Sequence, residues 1–485
     1  MKRIIYTILW ALTLLIIIIL VKAFLFSSRQ ATPTQVELPP FGASPASHLS
    51  EAVSYKTVSY SNDSAIDTTA FNDYLAFIAG AYPGVTSALQ KEVFNDFSLL
   101  YKWEGTNNTL KPVILMAHYD VVPPGDTTSW EKGPFSGTDD GTYIWGRGTL
   151  DDKAAMISIL EAVEKLLSEG FKPERTIYLS FGHDEELGGE RGASVVAKTL
   201  AERGIKAEYV LDEGMAVTNG MVPMMKVPVA LIGTSEKGYI TVKLTTEMPG
   251  GHSSTPEPES ALILLAKAVT NLSENQMKPE ISGPVNDFIS YVGPEMPFHA
   301  KAIFANKWLF KGLIINIYSG SASGNALVRT TTAPTIFNAG IKDNVIPTKA
   351  EATINFRILP GQTSADVLDH VKKTIDDDRV IVEAMKDFVS EPAPVSPTDS
   401  KGFNFILTSL RQVYPSAVVA PTMMLGASDS KHFSVVTGNI YKFAPINVTS
   451  DDMARIHGLN ERTRKEDFLK GIGFYYTLIR NSQSQ

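Results

Sequence analysis

Short groups of carboxylates and imidazoles recur along this chain: His118-Tyr119-Asp120, Asp151-Asp152, Asp184-Glu185-Glu186, Asp212-Glu213 and, near the end, His457. Three of them follow apolar runs directly or within two residues: Pro112-Val113-Ile114-Leu115-Met116-Ala117, Thr176-Ile177-Tyr178-Leu179-Ser180-Phe181 and Tyr209-Val210-Leu211. Runs of this length, rich in branched side chains, read as strands buried on both faces. In an open α/β sheet, ligands collect at the carboxyl ends of such strands. Carboxylates and imidazoles gathered there would repel or go unsatisfied, and a pair of divalent metal ions would neutralise them. The chain has no cysteine. Disulfides and thiolate sites are therefore excluded, and any metal must be held by His, Asp and Glu.

Each group also has an ordinary reading. His-x-Asp at a strand end can be a satisfied polar pair, Asp151-Asp152 a helix N-cap, and Asp184-Glu185-Glu186 a solvated turn. Taken together, at the ends of neighbouring buried strands, they are hard to explain as surface decoration. Gly146 and Gly148 precede Asp151, and Gly188 and Gly189 follow Glu186, which suits tight turns beside the site. Among the remaining histidines, His183 reads as structural, and His48, His299, His370 and His432 have no motif around them.

The elements that must position these groups follow from pattern. From about Val53 to Ser235, strands alternate with helices, which implies an α/β fold with a mainly parallel sheet and helices on both faces. The clearest helix is Asp152 to Ser168, with Ala155, Ile159, Ala162, Val163 and Leu166 on one face. From Lys237 the period changes. Ile240, Val242 and Leu244 alternate with Thr241, Lys243 and Thr245, and Ala352, Ile354, Phe356 and Ile358 alternate with Thr353, Asn355 and Arg357, as in strands with one wet face. Helices are expected from Ser260 to Leu272 and from Ser364 to Ile375. Together these describe an inserted α+β domain, with the Pro-rich stretch Glu391 to Pro397 returning the chain to the catalytic sheet. The expected divisions are 1–26, 27–50, 51–235, 236–390 and 391–485.

The first of these is apolar almost throughout from Ile4 to Phe26 and preceded by Lys2 and Arg3. About 20 apolar residues suffice to cross a bilayer, whereas a cleaved signal usually has an apolar region of about 7–15. The length favours a membrane anchor with the rest of the chain outside the cytoplasm, secreted if the segment is cleaved. Ser27 to Ser50, rich in Ser, Thr, Pro and Ala, reads as a linker. The length of 485 residues allows two or three domains and a large core. With 44% hydrophobic and 20% charged residues the remainder is ordinary globular protein. The net charge of −8, with no basic stripe, argues against a nucleic-acid partner.

The longer motifs add a resemblance. His118-Tyr119-Asp120-Val121-Val122-Pro123, Trp145-Gly146-Arg147-Gly148-Thr149-Leu150-Asp151-Asp152-Lys153, Asp184-Glu185-Glu186-Leu187-Gly188-Gly189, Pro249-Gly250-Gly251-His252-Ser253-Ser254 and Arg455-Ile456-His457-Gly458 stand in the order seen in the aminoacylase and carboxypeptidase S family of co-catalytic zinc peptidases. The resemblance covers nearly everything from Val53 onward and is greatest to carboxypeptidase S and the secreted N-acyl amino acid amidohydrolases. It implies two zinc ions bridged by Asp151, one also held by His118 and Asp212, the other by Glu186 and His457, with cobalt or manganese accepted by the same donors. It further implies Glu185 as general base, and a cis peptide between Asp151 and Asp152. Two metals sharing a carboxylate polarise an amide carbonyl and acidify water, and a free carboxylate beside them moves the proton. Of the adjacent glutamates one binds and one stays free, an order that residue chemistry alone leaves open. Asp120, two residues past His118, suits orientation of the imidazole.

For the substrate, the resemblance points to Arg357, on the polar face of its strand, and to the loop Gly426-Ala427-Ser428-Asp429 as receptors for a free carboxylate, with Asn344 a further candidate. In dimeric relatives the counterpart of His252 reaches the partner's active site and stabilises an oxyanion. A homodimer through the inserted domain is expected, resting on that pattern and on an exposed edge at Ile240–Leu244. The expected activity is hydrolysis of the amide bond of peptides or N-acyl amino acids bearing a free carboxylate. The alternatives are an aminopeptidase on the same scaffold and a non-catalytic binding protein. Between Gln276 and Pro334, aromatic and aliphatic residues mix with Lys301, Lys307 and Lys311, and helical spacing would bring Phe304, Trp308 and Lys311 near one face. That stretch is expected to be extra core or interface cover, a channel for a long acyl chain, or a surface resting on a bilayer.

Overall fold

The computed structural model describes residues 1–61 and 66–483, with the backbone alone at 386–388. It divides into two units, one of Ser27–Thr234, Ser290–Pro297 and Ser396–Gln485, the other of Met1–Phe26, Ser235–Ile289 and Phe298–Val395.

The first unit is built on a ten-stranded sheet. Its centre is parallel: Ile177–Gly182, Val113–His118, Tyr209–Asp212 and Ile440–Lys442 lie side by side in that order. All six residues of Val113–His118 and of Ile177–Gly182 are buried, as the unbroken apolar runs require. The flanks depart from the expected, mainly parallel sheet. Gln90–Phe94 and Ser98–Trp103 form an antiparallel hairpin, and Ser98–Trp103 pairs antiparallel with Ile177–Gly182. The turn passes through Asn95 and Asp96 at φ 46° and 70°, a left-handed region that short polar side chains tolerate. A tight turn can only return the chain antiparallel, so the sheet is mixed. Lys153–Ser168 is the central helix, buried along nearly its whole length and packed on Lys465–Asn481.

Residues 27–50, composed like a linker, are bound to this unit. The Gln30 amide brackets Val419, donating to its carbonyl and accepting from its N–H, both at 2.8 Å. Arg411 donates to the Ala31 carbonyl at 3.1 Å. The helix Ser44–Ser54 buries Pro45, Ala46, Leu49, Ala52 and Val53.

The second unit holds a four-stranded antiparallel sheet in the order Thr331–Ala339, Lys349–Ile358, Gly238–Glu247, Val380–Ser390. Ile240, Val242, Leu244, Ile354 and Phe356 pack against Leu264, Leu265, Val367 and Val371 of the helices Ala261–Glu274 and Ser364–Ile375. The alternation read in the sequence is this buried face. Gly238–Glu247 is not an edge, however: Leu244 lies between Ala352 and Val382. The edges are Val380–Ser390 and Thr331–Ala339, the latter exposed over most of its length. The aromatic stretch also differs from its expected single face. Phe298–Ala305 and Lys307–Ser319 are separate helices broken at Asn306, so Phe304 is buried while Trp308 is exposed. The N-terminal helix Lys2–Leu25 is long and apolar enough to cross a membrane, and a signal sequence would satisfy the same description.

Candidate active site

His118 ends the middle strand of the parallel trio, and the strands on either side end just before Glu185-Glu186 and at Asp212. Neighbouring strands lie about 4.8 Å apart, which brings side chains from all three within reach of one centre. Asp151 arrives from the loop before Lys153–Ser168, and the Asp151–Asp152 peptide is cis. His457 arrives from a loop more than three hundred residues further on, at φ 60°.

Asp151 faces both histidines at once. Its Oδ1 is 3.0 Å from His118 Nε2, and its Oδ2 is 3.0 Å from His457 Nε2. His457 Nε2 also lies 3.3 Å from Glu186 Oε2, and His118 Nε2 lies 3.9 Å from Glu185 Oε2. Donor atoms within 4.8 Å of one another form two overlapping groups: His118 with Glu185 and Glu186, and Asp151 with Glu186 and His457. Asp212 belongs to neither. Its Oδ2 accepts the Ser430 N–H at 2.8 Å, and Ser428 hydrogen-bonds to it as well.

Asp120 proves more versatile than a simple imidazole partner. His118 Nδ1 donates to the Asp120 backbone carbonyl at 3.0 Å, with the Asp120 carboxylate slightly further away at 3.4 Å. That hydrogen bond puts the proton on Nδ1 and leaves the Nε2 lone pair facing the centre. The Asp120 carboxylate meanwhile accepts the N–H groups of Glu185 (3.1 Å) and Glu186 (3.3 Å) and the Ser59 hydroxyl (2.8 Å). It therefore fixes the turn that carries both glutamates. Gly189, at φ 71°, completes the turn where a Cβ would collide with the Asp429 carboxylate.

The electrostatics describe a centre short of positive charge. Burial raises Asp212, and it holds Asp152 and Asp429 well above the usual carboxylate range. Burial, with Asp151 and Glu186 nearby, pushes Glu185 up to about 8 against the pull of His118. Burial would raise Asp151 too, but the two imidazoles outweigh it and hold that carboxyl far down. In turn Asp151 and Glu186 lift His457 to about 10. Glu186 Oε1 is buried with no hydrogen-bond partner among the described residues, so a donor atom in the centre is left over. Imidazole nitrogens and carboxylate oxygens around a two-sided carboxylate, with a spare buried oxygen, are a donor set that fits divalent metal.

One residue at the centre carried no signal in the sequence. Glu461 Oε1 accepts the N–H groups of Gly148 (3.0 Å), Leu150 (2.7 Å) and Asp151 (3.3 Å). Its Oε2 accepts from Arg147 at 2.6 Å, and Arg147 also donates to the Gly458 carbonyl at 2.9 Å. This fully buried pair ties the Asp151 loop to the His457 loop.

The expected substrate receptors divide between the units. Gly426, Ala427 and Ser428 follow Val418–Met424 in the first unit, where Ser428 is buried and touches Asp212. Arg357, Asn344 and His252 belong to the second. The Arg357 guanidinium lies 4.7 Å from the Tyr239 ring centroid, and no ion pair ties it to a carboxylate among the described residues. Burial, and then Arg357 itself, push the neighbouring Lys237 down to about 7. Asn344 Oδ1 is buried without a partner among the described residues. His252 is exposed, and its Nδ1 accepts the Ser254 N–H at 3.1 Å, which puts the ring proton on Nε2.

With this geometry in place, the relatives of the chain are informative. The sequence profile of peptidase family M20/M25/M40 matches residues 114–481. The chain is 42% identical over 442 residues to the probable carboxypeptidase S-like 2 of Dictyostelium discoideum, covering 90% of this chain and 85% of that one. It is 43% identical over 440 residues to an N-fatty-acyl-amino acid synthase/hydrolase of Xenopus tropicalis, again covering 90% and 85%. An M20 family metallo-carboxypeptidase from Sulfolobus solfataricus shares the fold, with a TM-score of 0.64 at 18% identity over 90% of this chain and 99% of that one. The chain belongs to peptidase family M20/M25/M40 and is a metallo-amidohydrolase.

Proposed function

We propose that this enzyme hydrolyses the amide bond of a peptide or N-acyl amino acid carrying a free carboxylate, at a centre of two zinc ions held by His118, Asp151, Glu186, Asp212 and His457. The observation that carries the reading is Asp151, whose two oxygens each face a different histidine at 3.0 Å. When bound, the ions would polarise the scissile carbonyl and acidify a water molecule. Glu185 takes the proton of the attacking water and delivers it to the leaving nitrogen. Its carboxylate lies 3.9 Å from His118, beside the centre, where it can reach the attacking water. Asp120 holds His118 and the glutamate turn in place.

The candidate receptors for the substrate's carboxylate are Arg357 and Asn344 in the one unit and the Gly426-Ala427-Ser428 loop in the other. The support for Arg357 is a guanidinium stacked on Tyr239 and not spent on an acid of its own. His252 offers its Nε2–H to the oxyanion in a partner subunit of a homodimer. The two relatives named above, a carboxypeptidase S-like protein and an N-fatty-acyl-amino acid hydrolase, both act on substrates of the proposed kind by name. We also read the N-terminal helix as an uncleaved anchor that keeps both units outside the cytoplasm. The deciding assay sets dipeptides, N-acyl amino acids and amino-acid amides before the purified enzyme, with and without a chelator. Turnover of acids, lost to the chelator and restored by zinc, is expected. Preference for amides with a free α-amine would make it an aminopeptidase.

A further inference from the structure

The end of the N-terminal helix is docked within its own unit. Asn306 Nδ2 donates to the Ile19 carbonyl at 3.1 Å, the Phe24 and Phe298 rings lie 5.9 Å apart, and the Lys22 ammonium sits 5.3 Å from the Trp308 ring centroid. At about 1.5 Å per residue, the apolar stretch from Ile4 to Val21 spans about 27 Å, close to the ~30 Å hydrocarbon core of a bilayer. Lys22 and Trp308 then fall at the membrane boundary, where lysine and tryptophan are the favoured residues.

The helix that begins at this junction, Lys307–Ser319, buries only Ile314. Leu309, Leu313 and Ile317 follow one another at four-residue spacing along its outer side, 40%, 45% and 52% exposed, with Trp308 beside them at 56%. A continuous ridge of large apolar side chains is seldom left to water. This one is continuous with the only helix, among the described residues, that is long and apolar enough to span a membrane. We propose that the ridge lies in the interfacial layer of the bilayer that the N-terminal helix crosses, so that the inserted unit rests on the lipid surface. The inference rests on the anchor reading above. The outward exposure of these side chains sets them apart from the lining of an acyl channel. Lysines at 301 and 311 supply the cationic flank that an interfacial helix needs.

The absence of cysteine makes the test direct, because one introduced thiol is the only labelling site. Full-length enzyme carrying a nitroxide at Leu313→Cys or Ile317→Cys is reconstituted into phosphatidylcholine–phosphatidylglycerol vesicles. Leu12→Cys reports on the anchor, and Asp378→Cys, on an exposed turn of the same unit, reports on water. Collision with oxygen, which concentrates in lipid, is compared with collision with a water-soluble nickel chelate. Labels at 313 and 317 should show an oxygen-to-nickel ratio several-fold above that at 378. If they match 378 while the label at 12 is lipid-buried, the anchor stands and the resting surface is overturned. Spin–spin broadening at 313 without enhanced oxygen contact would assign the ridge to a second copy and likewise overturn it. Lipid contact at 313 and 317 with the label at 12 in water would uphold the surface and remove the anchor. Water at all three positions removes both.

Discussion

Glu185 and Glu186 are adjacent, yet one closes on His457 while the other faces His118 from 3.9 Å. Their backbone N–H groups are both held by Asp120, so neither side chain can take the other's place without breaking that turn. Glu185→Gln should therefore abolish turnover and leave the metal content unchanged. Loss of a general base costs about 10²–10⁴-fold. Elemental analysis of the purified variant beside its kcat checks the assignment; metal loss would make Glu185 a ligand. Arg357→Ala tests recognition separately. A charge-assisted clamp contributes about 1.5–3 kcal/mol, so kcat/KM for acids should fall roughly 10- to 150-fold while amidated analogues are unaffected. Equal losses on both substrates would make Arg357 a structural residue of its sheet.

At the scale of elements, the centre depends on two loops joined at their base by a short antiparallel pair, Tyr143–Trp145 with Arg462–Arg464. Glu461 and Arg147 bind them, and both are buried. Glu461→Ala would leave a buried guanidinium and three backbone N–H groups without their acceptor, a loss of about 3–5 kcal/mol. Metal affinity should fall about 10–100-fold, as when a supporting residue behind a ligand is removed. Denaturation of the metal-free protein and competitive zinc titration read the two effects independently. This clamp was illegible in the sequence because its partners are backbone groups three hundred residues upstream, which leave no side-chain pattern. The strand ends were legible for the opposite reason: burial on both faces forces unbroken apolar runs, and the carboxylates stand directly after them. Composition misled at residues 27–50, where Gln30 pairs with Val419 as a strand would, through a side chain that any linker could carry. Likewise nothing local to Ile240–Leu244 announces that strands a hundred residues away cover both of its edges.

For the molecule as a whole, the open question of assembly moves to Thr331–Ala339. This strand has one unpaired edge, and most of its residues are exposed, Ile336 and Phe337 among them. The ladder to Lys349–Ile358 shifts register between Pro334 and Ile336. A bare edge of this kind pairs readily with another chain, and a second copy of the same edge gives a closed two-fold dimer. Ile336→Lys should convert a dimer to a monomer in sedimentation, since a charged residue on an edge blocks pairing. The role of His252 across the interface then becomes testable in the same experiment. Glu185→Gln and His252→Ala subunits, each inactive alone, should recover about a quarter of the wild-type activity when mixed equally, because half the dimers are mixed and each holds one intact site. Adding Ile336→Lys to both should abolish the recovery. A wild-type enzyme that sediments as an active monomer would overturn both the edge pairing and the shared histidine, and would return His252 to a turn residue held by Ser254.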